Sequence, residues 1–111
     1  YPDAERDNRI MEMNFGDWEM KNFDEISDPR LKEWYADYIN VPATNGESFA
    51  IQYQRVASFL DELREKNYEK VAIFAHGGVL ICAQLYAGAI KLEEAFSALT
   101  PYGGIIQLKL D

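Results

Sequence analysis

From residue 49 onward, apolar side chains return every three or four positions: Phe49, Tyr53, Val56, Leu60 and Leu63. That spacing gathers them on one helical face and predicts a helix over about residues 47–66. Residues 40–46 (NVPATNG) carry turn chemistry, and Thr44 and Glu47 stand three apart, the arrangement of a capping box. Upstream, Asp28-Pro29 reads as a helix start with proline at its first position. Leu31, Trp34, Tyr35 and Tyr38 then recur at helical spacing, which predicts an amphipathic helix of about three turns.

At residue 71 the period changes. Val71 to Ala75 (VAIFA) is continuously apolar, the pattern of a short strand buried on both faces of a parallel sheet. An apolar helix is expected from Gly77 or Gly78 to about Ala87, and another helix near residues 91–98. Pro101-Tyr102-Gly103-Gly104 is a turn, and Ile105 to Leu110 (IIQLKL) is expected to close the chain as a strand. Arg9 to Phe15 (RIMEMNF) alternates weakly, a strand or extended-loop signal that Gly16 ends. This order predicts an α/β fold, and the lack of internal repeats or low-complexity linkers predicts one domain over residues 1–111. Two clear strands and one weak one make a thin sheet with edges that seek partners. The chain also opens on Tyr1-Pro2-Asp3, with neither Met nor a signal-peptide pattern. Together these features suggest the carboxyl-terminal part of a domain.

Composition narrows the function classes. Of 111 residues, 48% are apolar and 14% aromatic, enough for a packed core rather than a disordered chain. The net charge of −8 argues against binding nucleic acid or an anionic membrane, so an anion site must be built locally. No apolar run approaches the roughly 20 residues of a membrane span. The single cysteine, Cys82, has no internal disulfide partner; it is expected in the core of a cytoplasmic protein. One histidine, one cysteine and scattered carboxylates lack metal-ligand spacing, so no metal or other cofactor is expected.

The one histidine, His76, sits where the apolar run ends and Gly77-Gly78 begins a helix. In open α/β sheets ligands lie beyond the carboxyl ends of strands, and a glycine-opened helix start favours an anion. An imidazole there can contact a phosphate as nucleophile or as hydrogen-bond donor. The alternative is a histidine that caps the helix and bonds a nearby carbonyl. Glu12, in the stretch RIMEMNFGDWE, is a candidate general acid if aromatic neighbours partly desolvate it and raise its pKa; otherwise it is a solvated loop residue. Arg6 and Arg9 are either anion contacts or simply solvated, and Arg55 is either an anion contact or a partner of neighbouring carboxylates. Trp18, Trp34, Tyr35 and Tyr38 are either an interaction surface or, at helical spacing, core.

Taken together, Glu12, Gly16, Trp18 and Glu19, with His76-Gly77 after an apolar run, resemble the histidine phosphatase superfamily, the phosphoglycerate mutase-like fold. Met20 stands where that family usually has glycine, a departure that bears on the shape of the loop. Gly46-Glu47-Ser48 is similar to the family's opening of a long helix, with Arg55 where members often have arginine. Pro101-Tyr102-Gly103 is similar to the α-ribazole phosphatase branch, which acts late in cobalamin assembly. The resemblance implies a partial three-layer α/β/α sandwich whose mostly parallel sheet lacks its first strand or strands. It also implies metal-free hydrolysis of a phosphomonoester. Glu12 would protonate the leaving oxygen and His76 would stabilise the transferring phosphoryl group, with Gly77 and Arg55 as substrate contacts. The family's nucleophilic histidine lies in an Arg-His-Gly motif that does not occur in these residues. The chain by itself is therefore expected to be inactive, and to self-associate or to associate with the missing amino-terminal segment. The competing expectation is a non-catalytic phosphate-binding or protein-interaction module.

Overall fold

The computed structural model describes residues 4–98 and 104–110. The turn expected at Pro101 to Gly103 lies outside them. The chain divides into two compact units, one of residues 13–54 and the other of residues 1–12 with 55–111.

In the unit of residues 13–54, the aromatic residues form the core. Trp18, Trp34 and Ala43 are buried, and Phe15, Ile26, Leu31, Tyr38 and Val41 pack against them. The two indoles meet edge to face, with ring centroids 6.0 Å apart. Burial of an indole leaves its N–H in need of an acceptor, and Trp18 Nε1 donates to Asp28 at 3.2 Å. The same carboxylate accepts from the Thr44 hydroxyl and from the Arg30 backbone N–H, 2.9 Å away. It thus caps helix α1 (Arg30–Ala36) and ties it to two loops. The Thr44 hydrogen bond, with smaller help from Arg30 and Trp18, holds the Asp28 carboxyl below its ordinary pKa. Helix α1 spans two turns rather than three. Asp37 leaves helical geometry at φ −154°, and its carboxylate accepts from the amide group of Asn40.

Helix α2 (Phe49–Glu65) lies within the expected range, but its start differs from the capping-box expectation. The Thr44 hydroxyl serves Asp28, and the Glu47 carboxylate accepts from the Asn14 backbone N–H at 2.8 Å. Ser48 supplies the cap: its hydroxyl accepts from the Ile51 N–H at 3.2 Å. Each residue of Gly46-Glu47-Ser48 therefore has its own task, since Gly46 lies against the backbone of residues 14–16. A Cβ there would stand 2.5 Å from the Asn14 carbonyl oxygen.

In the other unit, α2 buries Val56 and Leu60, and helix α3 (Gly77–Tyr86) buries Val79, Ile81 and Cys82. The Tyr86 hydroxyl donates to Asp61 and accepts from Arg64, whose guanidinium also lies over the Tyr86 ring, which links α2 to α3. Helix α3 packs against a 3-10 stretch at Leu92–Ala98, the site of the expected fourth helix.

The expected sheet is absent from the described residues. Neither Val71 to Ala75 nor Ile105 to Leu110 forms a strand, and Arg9 to Phe15 begins in a 3-10 turn at Asn8–Ile10. The expected α/β/α sandwich is therefore corrected to a helical arrangement. A continuous apolar run specifies a preference for burial, but a strand exists only when a second backbone pairs with it. Among the described residues the run belongs to no strand, and it is not covered on both faces: Phe74 is 69% exposed. Instead Val71, Ile73, Ile106 and Leu108 line a cavity of about 690 Å³ with Leu60 of α2 and Leu80 of α3.

Candidate functional site

Helix α3 begins immediately after the histidine. His76 is in extended geometry at φ −119° and ψ 165°, and its carbonyl accepts from the Leu80 N–H at 3.0 Å. His76 occupies the N-cap position of α3, but its imidazole makes no cap hydrogen bond to the helix. The ring belongs to an exposed residue. A helix start leaves several backbone N–H groups without intrahelical acceptors and carries the positive end of the helix dipole.

Glu12 occupies that end. Its Oε2 accepts from the Gly78 N–H at 3.2 Å, which brings the carboxylate to the amide two residues after His76. Residues 66 positions apart in sequence thus meet at this helix start. Glu12 is exposed, so the desolvation expected from aromatic neighbours is not present. What holds this carboxylate is hydrogen bonding.

Its backbone is held from α2. Arg55 Nη1 donates to the carbonyls of Arg9 at 2.8 Å and Met11 at 2.6 Å, and Nη2 donates to the carbonyl of Glu12 at 3.2 Å. Arg9 itself donates to both oxygens of Asp7, and its Nη2 pairs with Glu62 at 3.1 Å. It also lies over the Phe59 ring, 5.4 Å from the centroid. Those hydrogen bonds hold the Asp7 carboxyl below its ordinary pKa. Arg6 is exposed. The structure thus brings together His76, Gly77, Gly78 and Glu12, and directs Arg55 at the loop backbone that carries Glu12.

The sequence contained a signal for this arrangement that the motif comparison passes over. Arg55, Ser58, Phe59 and Glu62 lie three, four and seven residues apart, one stripe along α2, and each touches residues 7–12 or their side chains.

Among the described residues no group of histidine, cysteine, aspartate and glutamate side chains could hold a metal ion. No helix among them is long and apolar enough to cross a membrane.

The family model described as histidine phosphatase superfamily (branch 1) matches residues 2–111. A protein of Hydrogenobacter thermophilus named putative phosphoserine phosphatase 2 is 28% identical over 108 residues, covering 95% of this chain and 53% of its own length. The adenosylcobalamin/alpha-ribazole phosphatase of Escherichia coli is 36% identical over 75 residues, 64% of this chain and 37% of that protein. Among solved structures, the alpha-ribazole phosphatase of Shigella flexneri superposes with a TM-score of 0.76 at 29% identity, covering 87% of this chain and 50% of that one. The chain spans about half the length, or less, of the relatives it matches.

Proposed function

This chain belongs to the histidine phosphatase superfamily, in its α-ribazole phosphatase branch, and from that membership and the geometry at α3 we propose a phosphomonoester hydrolase. In this reading the 111 residues supply the acid and the phosphoryl-binding imidazole. The observation that carries it is the Glu12 carboxylate on the Gly78 N–H, beside the one histidine of the chain.

Phosphoryl transfer is governed by positioning and by stabilising charge on the equatorial oxygens. His76 donates from its ring to those oxygens, and the positive end of α3, whose Gly78 N–H is taken by Glu12, favours the same anion. Glu12, in its protonated form, gives its proton to the leaving oxygen as the P–O bond breaks, so that the product departs as an alcohol. The phosphoryl group passes to a nucleophile that this chain does not provide, because its single imidazole already has a role. The chain alone is accordingly inactive. The substrate in this reading is a small phosphorylated metabolite, with α-ribazole 5′-phosphate favoured by the branch.

Two measurements test it. An aryl phosphate assay on the chain alone should show no turnover; turnover that His76→Ala abolishes would make His76 the nucleophile and overturn the assignment. Titration with inorganic phosphate should shift the ring resonances of His76, which are unambiguous in a protein with one histidine. Resonances that stay fixed as phosphate is raised would defeat the anion site. Exposed apolar side chains at Val71, Phe74 and Ile105 also support the expected self-association, which sedimentation at rising concentration reads directly.

A further inference from the structure

Neither face of the Glu12 loop is pinned by burial. Met11 is 58% exposed and Glu12 is exposed as well, so apolar packing does not set the position of this carboxylate. The segment is instead fastened along one stripe of α2. At the far end of the stripe, Arg9 is engaged by Ser58, Phe59 and Glu62. At the near end, the half-buried Arg55 collects three carbonyls of the segment, those of Arg9, Met11 and Glu12, at 2.6–3.2 Å. Three carbonyls converging on one side chain require several donors in a fixed planar arrangement, which a guanidinium has and an ammonium lacks.

We propose that Arg55 is a positioning residue: it fixes the backbone of residues 9–12 so that the Glu12 carboxylate meets the Gly78 N–H at the start of α3. Glu12 is then held from two helices, its carbonyl by Arg55 of α2 and its carboxylate by Gly78 of α3. This assignment differs from the substrate contact that the family resemblance implies for Arg55. Its consequence for catalysis rests on the phosphatase reading above, but the positioning itself does not.

The test is made on the chain by amide NMR. The Gly78 amide proton should shift as the carboxylate bonded to it gains a proton, and Glu12→Gln identifies that component by removing it. Arg55→Lys keeps the charge and the aliphatic stem but cannot span three carbonyls. It should cut the Glu12-dependent shift at Gly78 to less than half. The Leu80 amide, bonded to the His76 carbonyl, should stay in place and certifies that α3 is intact. An unchanged Gly78 response in Arg55→Lys overturns the proposal. So does loss of the phosphate response at His76 with the Gly78 titration intact, which returns Arg55 to anion binding. If phosphate moves nothing in the parent protein while Arg55→Lys still uncouples Gly78 from Glu12, the phosphatase reading fails and the positioning role stands.

Discussion

Gly16→Ala should be the most damaging single methyl addition in the unit of residues 13–54. Gly16 has φ +55°, and an added Cβ would lie 2.2 Å from the Thr44 carbonyl oxygen and 2.6 Å from the Gly46 nitrogen. Left-handed geometry costs an alanine about 1–2 kcal/mol, offset by about 0.4–1 kcal/mol from a less flexible unfolded chain. The steric term is larger. Ordinary contact begins at 3.4 Å, so the turn must retreat by 3.4 − 2.2 = 1.2 Å from Thr44. That movement sacrifices the hydrogen bond from Asp17 N–H to the Thr44 carbonyl, now 2.9 Å, and strains that from Glu47 N–H to Asn14, now 2.7 Å. At about 0.5–1.5 kcal/mol net for each bond, with about 1–3 kcal/mol for the forced shift, the total is about 3–5 kcal/mol. Gly88 provides the control, because its φ is +75° but nothing lies within 4 Å of an added Cβ. Gly88→Ala should therefore lose only the conformational difference, about 0.5–1 kcal/mol. Equilibrium urea unfolding, followed by far-UV circular dichroism and by Trp18 and Trp34 fluorescence, measures both variants. If Gly16→Ala costs no more than Gly88→Ala, the close approach of the two turns is not what fixes this loop.

Other expectations follow from single residues. Met20 holds φ +64° where the family usually has glycine, and its side chain is fully exposed, so Met20→Gly should raise stability by about 0.5–1 kcal/mol; a lower melting temperature would refute this. Ser48→Ala removes the cap of α2 and should cost about 1 kcal/mol in urea unfolding, while an unchanged midpoint would mean that the Ile51 N–H finds another acceptor. Asp28 and Asp7 have folded pKa values below the ordinary 3.8, so they contribute stability that is full above pH 4. That contribution is lost as pH falls through the lowered values. The melting temperature should accordingly drop below pH 4, less steeply in Asp28→Asn; identical acid limbs would remove Asp28 as a source.

A net charge of −8 supplies no long-range attraction for an anion. Within this unit Arg9 is engaged by Asp7 and Glu62, and the Gly78 N–H by Glu12.

Sequence alone determined the two longer helices and the family. Periodicity of Phe49 to Leu63 marked α2, Gly77-Gly78 marked the start of α3, and the motifs around Glu12 and His76 pointed to the family whose model matches residues 2–111. These are local signals, set by side-chain spacing or by backbone freedom within a few residues. The tertiary structure decided what depends on partners distant in the chain. It left the apolar run at residues 71–75 outside any strand among the described residues, moved the α2 cap from Thr44 to Ser48, and turned Arg55 onto three carbonyls more than forty residues away. A hydrophobic pattern states that a segment prefers burial, and a charged residue that it needs a partner. Which groups meet those needs is settled only when the chain is folded and they compete for the same donors, acceptors and space.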